Sequence, residues 1–532
     1  MTKRTYLYLT VFISGMGVLG VELSASRLLD PFFGNSLIIW TNLIGLVLIY
    51  LSVGYAVGGR WADQDPRPTT FFQIIAWGGF LVGIIPFIAA PILRLSVLGF
   101  ADYNGGILIG SLLGVLILFS VPLTLLAMSS PFAIRLAVTE VAQSGRVAGT
   151  IYAWSTIGSI LGTFLPVLIL IPNIGTRRTF MVFAVTLMVV AIGGLFQHSR
   201  QLGGLYLALL AVLAILSLLF SPGPIRADEF AIYETESQYN YIQVLKEGDD
   251  ILLRLNEGQG VHSVYNPTLE LVFGIWDYFL LVPFFNDPPY ATDKVDSMLL
   301  IGAAAGTISK EYTKVFGPIP IDGVELDPEI SRVGREYFHM NEPNLNTINQ
   351  DGRYFLANVD KTYDIIAIDA YRPPYIPFHL TTVGFFQQVF DHLNPDGVAA
   401  INAGRTANDY SLVVALGSTM KAVFPNVYVV DALDFGSDFG NSVVIGTRQP
   451  TDLSNFVANS ASATDFRLRN IYDRAMSSRV YEITCDPEVP FIPAFGDLPP
   501  ALPDDCITPF TDDKAPVEQL LHRLILRYMT GQ

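Results

Sequence analysis

The sequence predicts a membrane α-helical bundle of about seven spans, then a small β-hairpin region and an α/β domain built on a mostly parallel sheet. Three observations carry that expectation. Seven apolar stretches in the first 220 residues are each long enough to cross about 30 Å of hydrocarbon at about 1.5 Å per residue. The mean hydropathy of +0.43 is high for a chain of 532 residues that also carries a polar half. Past residue 296, short apolar runs alternate with helix-length segments, the pattern of a sheet covered on both faces.

The apolar stretches run over Tyr6–Leu28, Leu37–Val57, Phe71–Ile92, Ile107–Ala127, Thr150–Ile171, Phe180–Phe196 and Leu205–Phe220. Lys3 and Arg4 precede the first, but its apolar run is too long for a signal peptide and more spans follow, so it reads as retained. Glycines recur four apart at Gly54/Gly58, Gly106/Gly110/Gly114 and Gly158/Gly162, a spacing that lets helix backbones approach closely in lipid. Glu22 lies inside the first span with Arg27 five residues on. A charge at that depth is a functional candidate, with pairing to Arg27 as the structural alternative.

Charge separates the halves. Residues 1–226 hold 12 Lys+Arg against 6 Asp+Glu, a net of +6, so the remainder carries −22 of the total −16. So acidic a second half excludes a nucleic-acid partner, which would need clustered cations. It suits a cationic substrate and equally suits plain solubility. Seven Lys/Arg on the N-terminal side of the spans against five on the other point to an inside N-terminus and an outside soluble half. Cys485 and Cys506, the only cysteines, are either a disulfide of an oxidising compartment or two free thiols.

Four regions are expected: a helical domain over 1–226, a β region over 227–290, a nucleoside-binding domain over 291–450 and a Pro-rich, helical extension over 451–532. Within the β region, Lys246–Asp250 forms a hairpin turn between alternating runs. The run Leu269–Phe285 is too short and interrupted to span, and is expected to dock as a helix against the sheet or the bundle. Short apolar runs of a mostly parallel sheet follow at Met298–Gly302, Ile321–Leu326, Tyr363–Asp369, Gly397–Ala403, Asn426–Val430 and Ser442–Gly446. Ligands in such sheets bind at the carboxyl ends of the strands. There stand the small-residue turn Gly302–Gly306, then Glu325 where an acid accepts bonds from ribose hydroxyls, then Asp351-Gly352 after a further strand, then Asp369. Four such ends in register make a nucleoside site. No Cys/His spacing suggests a metal and no nucleophile elbow is present.

With these residues in view, the segment 230–450 resembles the spermidine synthase (polyamine aminopropyltransferase) family, and the whole chain its membrane-fused branch. The markers are Ser237–Val244, Leu300–Thr307, Val324–Pro328, Gln350–Phe355 and Tyr363–Tyr371. The resemblance implies a Rossmann-like, methyltransferase-type sheet. It also implies transfer of an aminopropyl group from decarboxylated S-adenosylmethionine to an amine or polyamine, with release of methylthioadenosine. The donor is a co-substrate and no cofactor is held tightly. Glu325 would take the ribose and Asp351 the adenine amino group, with Gly302, Gly306, Gly352 and Asn240 beside the donor. Asp369 would deprotonate the attacking amine, and Tyr371, Asp277, Tyr239 and His262 would line the substrate. A homodimer and the lipid bilayer complete the expected partners.

Three positions depart from the family pattern. Ala305 stands where the glycine turn carries an acid, Arg372 where a second acid follows the catalytic one, and Ile275-Trp276-Asp277 where a Tyr-His/Gln-Glu element is usual. The lost carboxylates remove charge that a dicationic acceptor needs; Asp431, Asp434 and Asp438 are alternative acids, with solvated loop positions as the plainer account. Because of Ala305, S-adenosylmethionine itself is an alternative donor, for methyl transfer or a lyase reaction. Glu22 and the glycine-lined spans motivate a transport or sensor protein with a binding-only domain. His379 joins His262 as a substrate contact or a structural histidine. Cytosolic donor supply favours a multi-pass protein of the cell membrane with its soluble half in the cytoplasm, against the charge count.

Overall fold

The computed structural model describes residues 3–34, 37–98, 106–220, 228–256, 260–371, 376–433 and 439–530. The chain divides into two units, one made of Met1–Glu229 with Glu234–Tyr241, the other of Phe230–Tyr233 with Ile242–Gln532.

In the first unit, uninterrupted apolar sequence makes helices α1 (Lys3–Phe33), α2 (Leu37–Gln64), α3 (Pro68–Leu98), α4 (Gly106–Ala127), α5 (Ser129–Ala137), α6 (Ser144–Leu165), α7 (Ile171–His198) and α8 (Arg200–Leu219). Among the described residues they form six segments long and apolar enough to cross a membrane. Where the sequence separates Thr150–Ile171 from Phe180–Phe196, the structure has one apolar helical segment, Val141–His198, of 58 residues. It is interrupted at Gly175, whose φ of 80° and ψ of 164° are not helical. The glycine spacing does what packing in lipid asks: an added Cβ would meet the Phe12 carbonyl oxygen at 2.0 Å from Gly158 and that of Met16 at 2.2 Å from Gly162. Arg27, the expected partner of Glu22, lies 3.7 Å from Asp30 and donates to the carbonyls of Tyr239 (2.9 Å) and Ser237 (3.4 Å). The Glu236 carboxylate accepts the Thr176 backbone N–H at 2.7 Å and also its hydroxyl, capping the helix that restarts after Gly175.

After the helices the chain forms a four-stranded sheet in the order β1 (Ala231–Glu236), β2 (Tyr241–Glu247), β3 (Asp250–Leu255), β4 (Val261–Tyr265). The expected hairpin is present, pairing Glu247 with Asp250 across a turn in which Gly248 takes φ 65°. The larger sheet comprises β5 (Met298–Ile301), β6 (Ile321–Val324), β7 (Leu345–Ile348), β8 (Tyr363–Ile368), β9 (Leu393–Thr406), β10 (Asn426–Asp431), β11 (Phe439–Thr447), β12 (Val480–Ile483) and β13 (Phe491–Pro493). Its order is β13-β12-β10-β11-β9-β8-β5-β6-β7. From β7 to β9 every pair is parallel, whereas β11 runs antiparallel to both neighbours. This is the Rossmann-like, methyltransferase-type sheet.

Burial on both faces explains the continuous apolar runs. Met298 and Leu300 of β5 join one core with Tyr312, Phe456 and Tyr472, while Leu299 and Ile301 join the other with Phe385, Leu412 and Val517. Leu269–Phe285 docks in the first core as α9 (Ile275–Tyr278) and a 3-10 turn Phe279–Phe285, all seven of whose residues are buried. The soluble helices continue as α10 (Thr307–Phe316), α11 (Pro328–Tyr337), α12 (Gly352–Leu356), α13 (Val383–Asp391), α14 (Ser411–Lys421), α15 (Leu453–Ser462), α16 (Phe466–Ser477) and α17 (Val517–Thr530). The extension 451–532 thus adds strands as well as helices, and Cys485 and Cys506 are joined by a disulfide.

Candidate active site

Strand order reverses between β5, which leads towards β6 and β7, and β8, which leads towards β9. The carboxyl ends at that switch point open the crevice where such sheets bind ligands. After β5 the chain turns through Gly302 at φ 88° and Gly306 at φ 89°, a left-handed conformation that side chains oppose. Space demands glycine as well: a Cβ on Gly302 would meet the Asp369 carbonyl oxygen at 2.5 Å, and one on Gly306 the Met340 Cγ at 2.5 Å. The ends of β5 and β8 are therefore in contact, which brings the glycine turn to Asp369.

Glu325 follows β6 and is buried. Its Oε2 accepts the Ala304 N–H and its Oε1 the Asp327 N–H, both at 3.0 Å. Each oxygen keeps a lone pair for a further donor, the geometry two adjacent hydroxyls can use. Burial pushes this carboxyl up to about 7 against the pull of those backbone donors.

Asp351 caps α12, accepting the Tyr354 N–H at 3.0 Å, and Gly352 is the first residue of that helix. Its Oδ2 lies 2.9 Å from His379 Nε2, and that contact is the leading reason its carboxyl sits below the usual range. Asp369 follows β8. Its Oδ1 accepts Asn402 Nδ2 at 2.9 Å, and Asn402 is oriented in turn by the Asn441 amide at 2.9 Å. Surrounding protein pushes the carboxyl up to about 7, opposed by the side chains of Asn402 and Trp276. A carboxyl poised there can take a proton near neutrality.

Tyr371 donates its hydroxyl to the Asn402 carbonyl at 3.2 Å and accepts the Gly404 N–H at 2.8 Å. Its placement braces the Asp369 side of the cleft. Asp277 is fully buried and engaged by Arg474. His262 has its Nε2 buried without a hydrogen-bond partner among the described residues, and burial pushes the ring down to about 4. Ala305 donates its N–H to Ser263 Oγ at 3.0 Å. Tyr239 and Asn240 group with the helical unit, where both backbone N–H groups donate to Ser237 Oγ. Arg372, Asp434 and Asp438 lie outside the described residues. Asp431 is no solvated loop acid: it is buried in β10 and accepts the hydroxyls of Tyr410 (2.7 Å) and Ser442 (2.6 Å). Asn402 was missed from sequence, because it lies inside a strand run and not at a position where spacing alone marks a ligand.

The site is thus the switch-point crevice of a methyltransferase-type α/β sheet, with an acid after each of the two strands that flank β5, Glu325 after β6 and Asp369 after β8. Residues 285–433 match the family model described as the spermine/spermidine synthase domain. The chain is 31% identical over 295 residues to a Bifidobacterium longum (strain NCC 2705) protein named "Probable polyamine aminopropyl transferase", an overlap of 54% of this chain and 61% of that protein. A polyamine aminopropyltransferase 2 of Aquifex aeolicus (strain VF5) is 22% identical over 86% of this chain and 90% of its own length. Among solved structures, a probable spermidine synthase from Corynebacterium glutamicum ATCC 13032 is 19% identical, covering 46% of this chain and 94% of that one at a TM-score of 0.37.

Proposed function

We propose that this is a membrane-bound aminopropyltransferase that moves an aminopropyl group from decarboxylated S-adenosylmethionine to an amine. The observation that carries the reading is Asp369, an acid with its carboxyl near 7, held against the glycine turn at the switch point of a domain matching the spermine/spermidine synthase family. Glu325 takes the ribose hydroxyls and Asp351 the adenine amino group. An ammonium ion has no lone pair, so Asp369 first removes a proton from the acceptor. The freed nitrogen pair attacks the carbon bonded to the sulfonium, and the carbon–sulfur pair leaves with sulfur as neutral methylthioadenosine. The carboxylate also offsets positive charge on the attacking nitrogen, and in-line placement of the two reactants supplies much of the remaining acceleration. Only the ionised form of Asp369 works as base, so the rate rises as pH increases through about 7.

Methylthioadenosine release from the decarboxylated donor with a panel of mono-, di- and polyamines is the test; binding of the donor with no release for any amine rejects the reading. Ala305 favours a second one, in which S-adenosylmethionine is the donor, because no carboxylate stands there to meet the decarboxylated donor's ammonium. Calorimetric titration with both donors separates them. Donor supply favours a cytoplasmic soluble unit, whereas a Cys485–Cys506 bridge suits an oxidising compartment. Labelling sealed cells with an impermeant thiol reagent, before and after reduction, decides the side.

A further inference from the structure

Asp351 presents its two oxygens differently. Oδ1 accepts the Tyr354 N–H at 3.0 Å and caps α12. Oδ2 meets His379 Nε2 at 2.9 Å and keeps a lone pair for a further donor. His379 belongs to the 3-10 turn Phe378–Leu380, and its carbonyl accepts Arg353 Nη1 at 3.0 Å. Arg353, the residue after Gly352 in α12, is gripped in turn by Asp512 of the C-terminal extension. Nη1 donates to Oδ1 at 2.6 Å and Nη2 to Oδ2 at 3.0 Å, a paired contact that fixes direction as well as distance. Asp512 Oδ1 also accepts the Thr382 hydroxyl at 2.7 Å, and Thr382 caps α13 by accepting the Phe385 N–H at 3.2 Å. One carboxylate thus ties the arginine beside Asp351 to both ends of the stretch that carries His379. Asp512 is itself held in place. Thr511 and Lys514 exchange backbone hydrogen bonds at 3.0 Å in each direction, closing a turn around it. Just before that turn, Phe510 is buried, donates its N–H to Thr419 Oγ1 at 3.0 Å and accepts the Val383 N–H at 2.8 Å. The approach to α13 is close: a Cβ on Gly384 would meet Asp512 Oδ2 at 2.7 Å. The hydrogen bond from Arg353 holds the Asp512 carboxyl down to about 2, so it is an anion throughout the neutral range.

We propose that Asp512 is a positioning residue for Asp351. Through Arg353 and the His379 turn it aims the free lone pair of Oδ2 at the adenine amino group, and so sets the preference for a purine that carries that group. The inference rests on the reading of Asp351 as the acceptor for that amino group. Asp512 lies outside the segment 285–433 that matches the family model, whereas Glu325, Asp351 and Asp369 lie inside it. The extension therefore contributes to a site whose acids all come from elsewhere in the chain.

Calorimetric titration of the full-length protein in detergent reads that preference without turnover. The two ligands are methylthioadenosine and its analogue with hydrogen in place of the 6-amino group. A site built to accept the amino group binds the analogue less tightly, because its acceptor is left unpaired. Asp512→Ala is expected to lower affinity for methylthioadenosine by about twofold to fivefold, the range of a partly exposed ion pair, and to leave affinity for the analogue unchanged. Arg353→Met lowers the same affinity, and adding Asp512→Ala to it costs nothing further, since the two side chains act along one route. A preference that survives Asp512→Ala intact, an equal loss for both ligands, or an additive loss in the double variant overturns the proposal. Equal binding of both ligands by the unmodified protein instead rejects the assignment of Asp351, and the proposal falls with it. A preference that responds to Asp512 in a protein releasing no methylthioadenosine from the decarboxylated donor retains the proposal and rejects the reaction.

Discussion

Glu325 and Asp369 stand at the ends of two strands that flank β5, and burial pushes both carboxyls up to about 7. They are held in different ways. Glu325 is gripped by backbone N–H groups of Ala304 and Asp327, which arrive with the fold whatever side chains surround them. Asp369 is gripped by the side chain of Asn402 on β9, which can be exchanged without altering the backbone. A group that only recognises its ligand tolerates a fixed setting. A base gains from one that substitution can tune, since its ionisation must match the working pH.

Substitutions can break this contrast. Asp369→Asn removes the base and is expected to lower turnover by about 10²–10⁴-fold with donor binding intact, as checked by rate measurement beside calorimetry. Glu325→Gln is expected to weaken donor binding by about tenfold to a hundredfold, the loss of one hydrogen bond to a charged group. An amide has one acceptor oxygen, so its nitrogen must face one of the two backbone donors. Donor titration checks this, and unchanged affinity would detach Glu325 from the donor. Asn402→Ala sharpens the contrast instead: a lost donor disfavours the carboxylate, so the acidic limb of the rate profile should move up by about one pH unit. The smallest effect belongs to His379→Ala. The partly exposed pair with Asp351 should change donor affinity by about fivefold at most, with the larger change at lower pH, where the freed Asp351 carboxyl protonates sooner.

The same contrast marks what the sequence revealed. Strand-end acids were legible because a parallel strand buried on both faces is an unbroken apolar run, and the residue that ends it is visible: Ile301 before Gly302, Val324 before Glu325, Ile368 before Asp369. The side-chain partner of Asp369 was not, since Asn402 follows it by 33 positions and lies inside an apolar run, Gly397–Ala403, rather than at its end. Asp431 misled for the opposite reason. It sits among acids that look like a loop, yet Arg405, Tyr410 and Ser442 close around it. The short strands β12 and β13, of four and three residues, lie in a Pro-rich stretch with no period long enough to read. The helical unit shows the reverse limit: span length survives any reading, whereas the break at Gly175 depends on one dihedral angle.

The path of the chain between its two units has a practical outcome. It enters the second unit at Phe230, returns to the first for Glu234–Tyr241, and leaves again at Ile242. No single peptide bond therefore separates the units. Cutting after residue 229 would leave Glu236 without the Thr176 groups it caps and the Ser237 and Tyr239 carbonyls without Arg27. A shortened, water-soluble version would begin with a frayed β1–β2 turn, so the two halves are best inherited, expressed and engineered together.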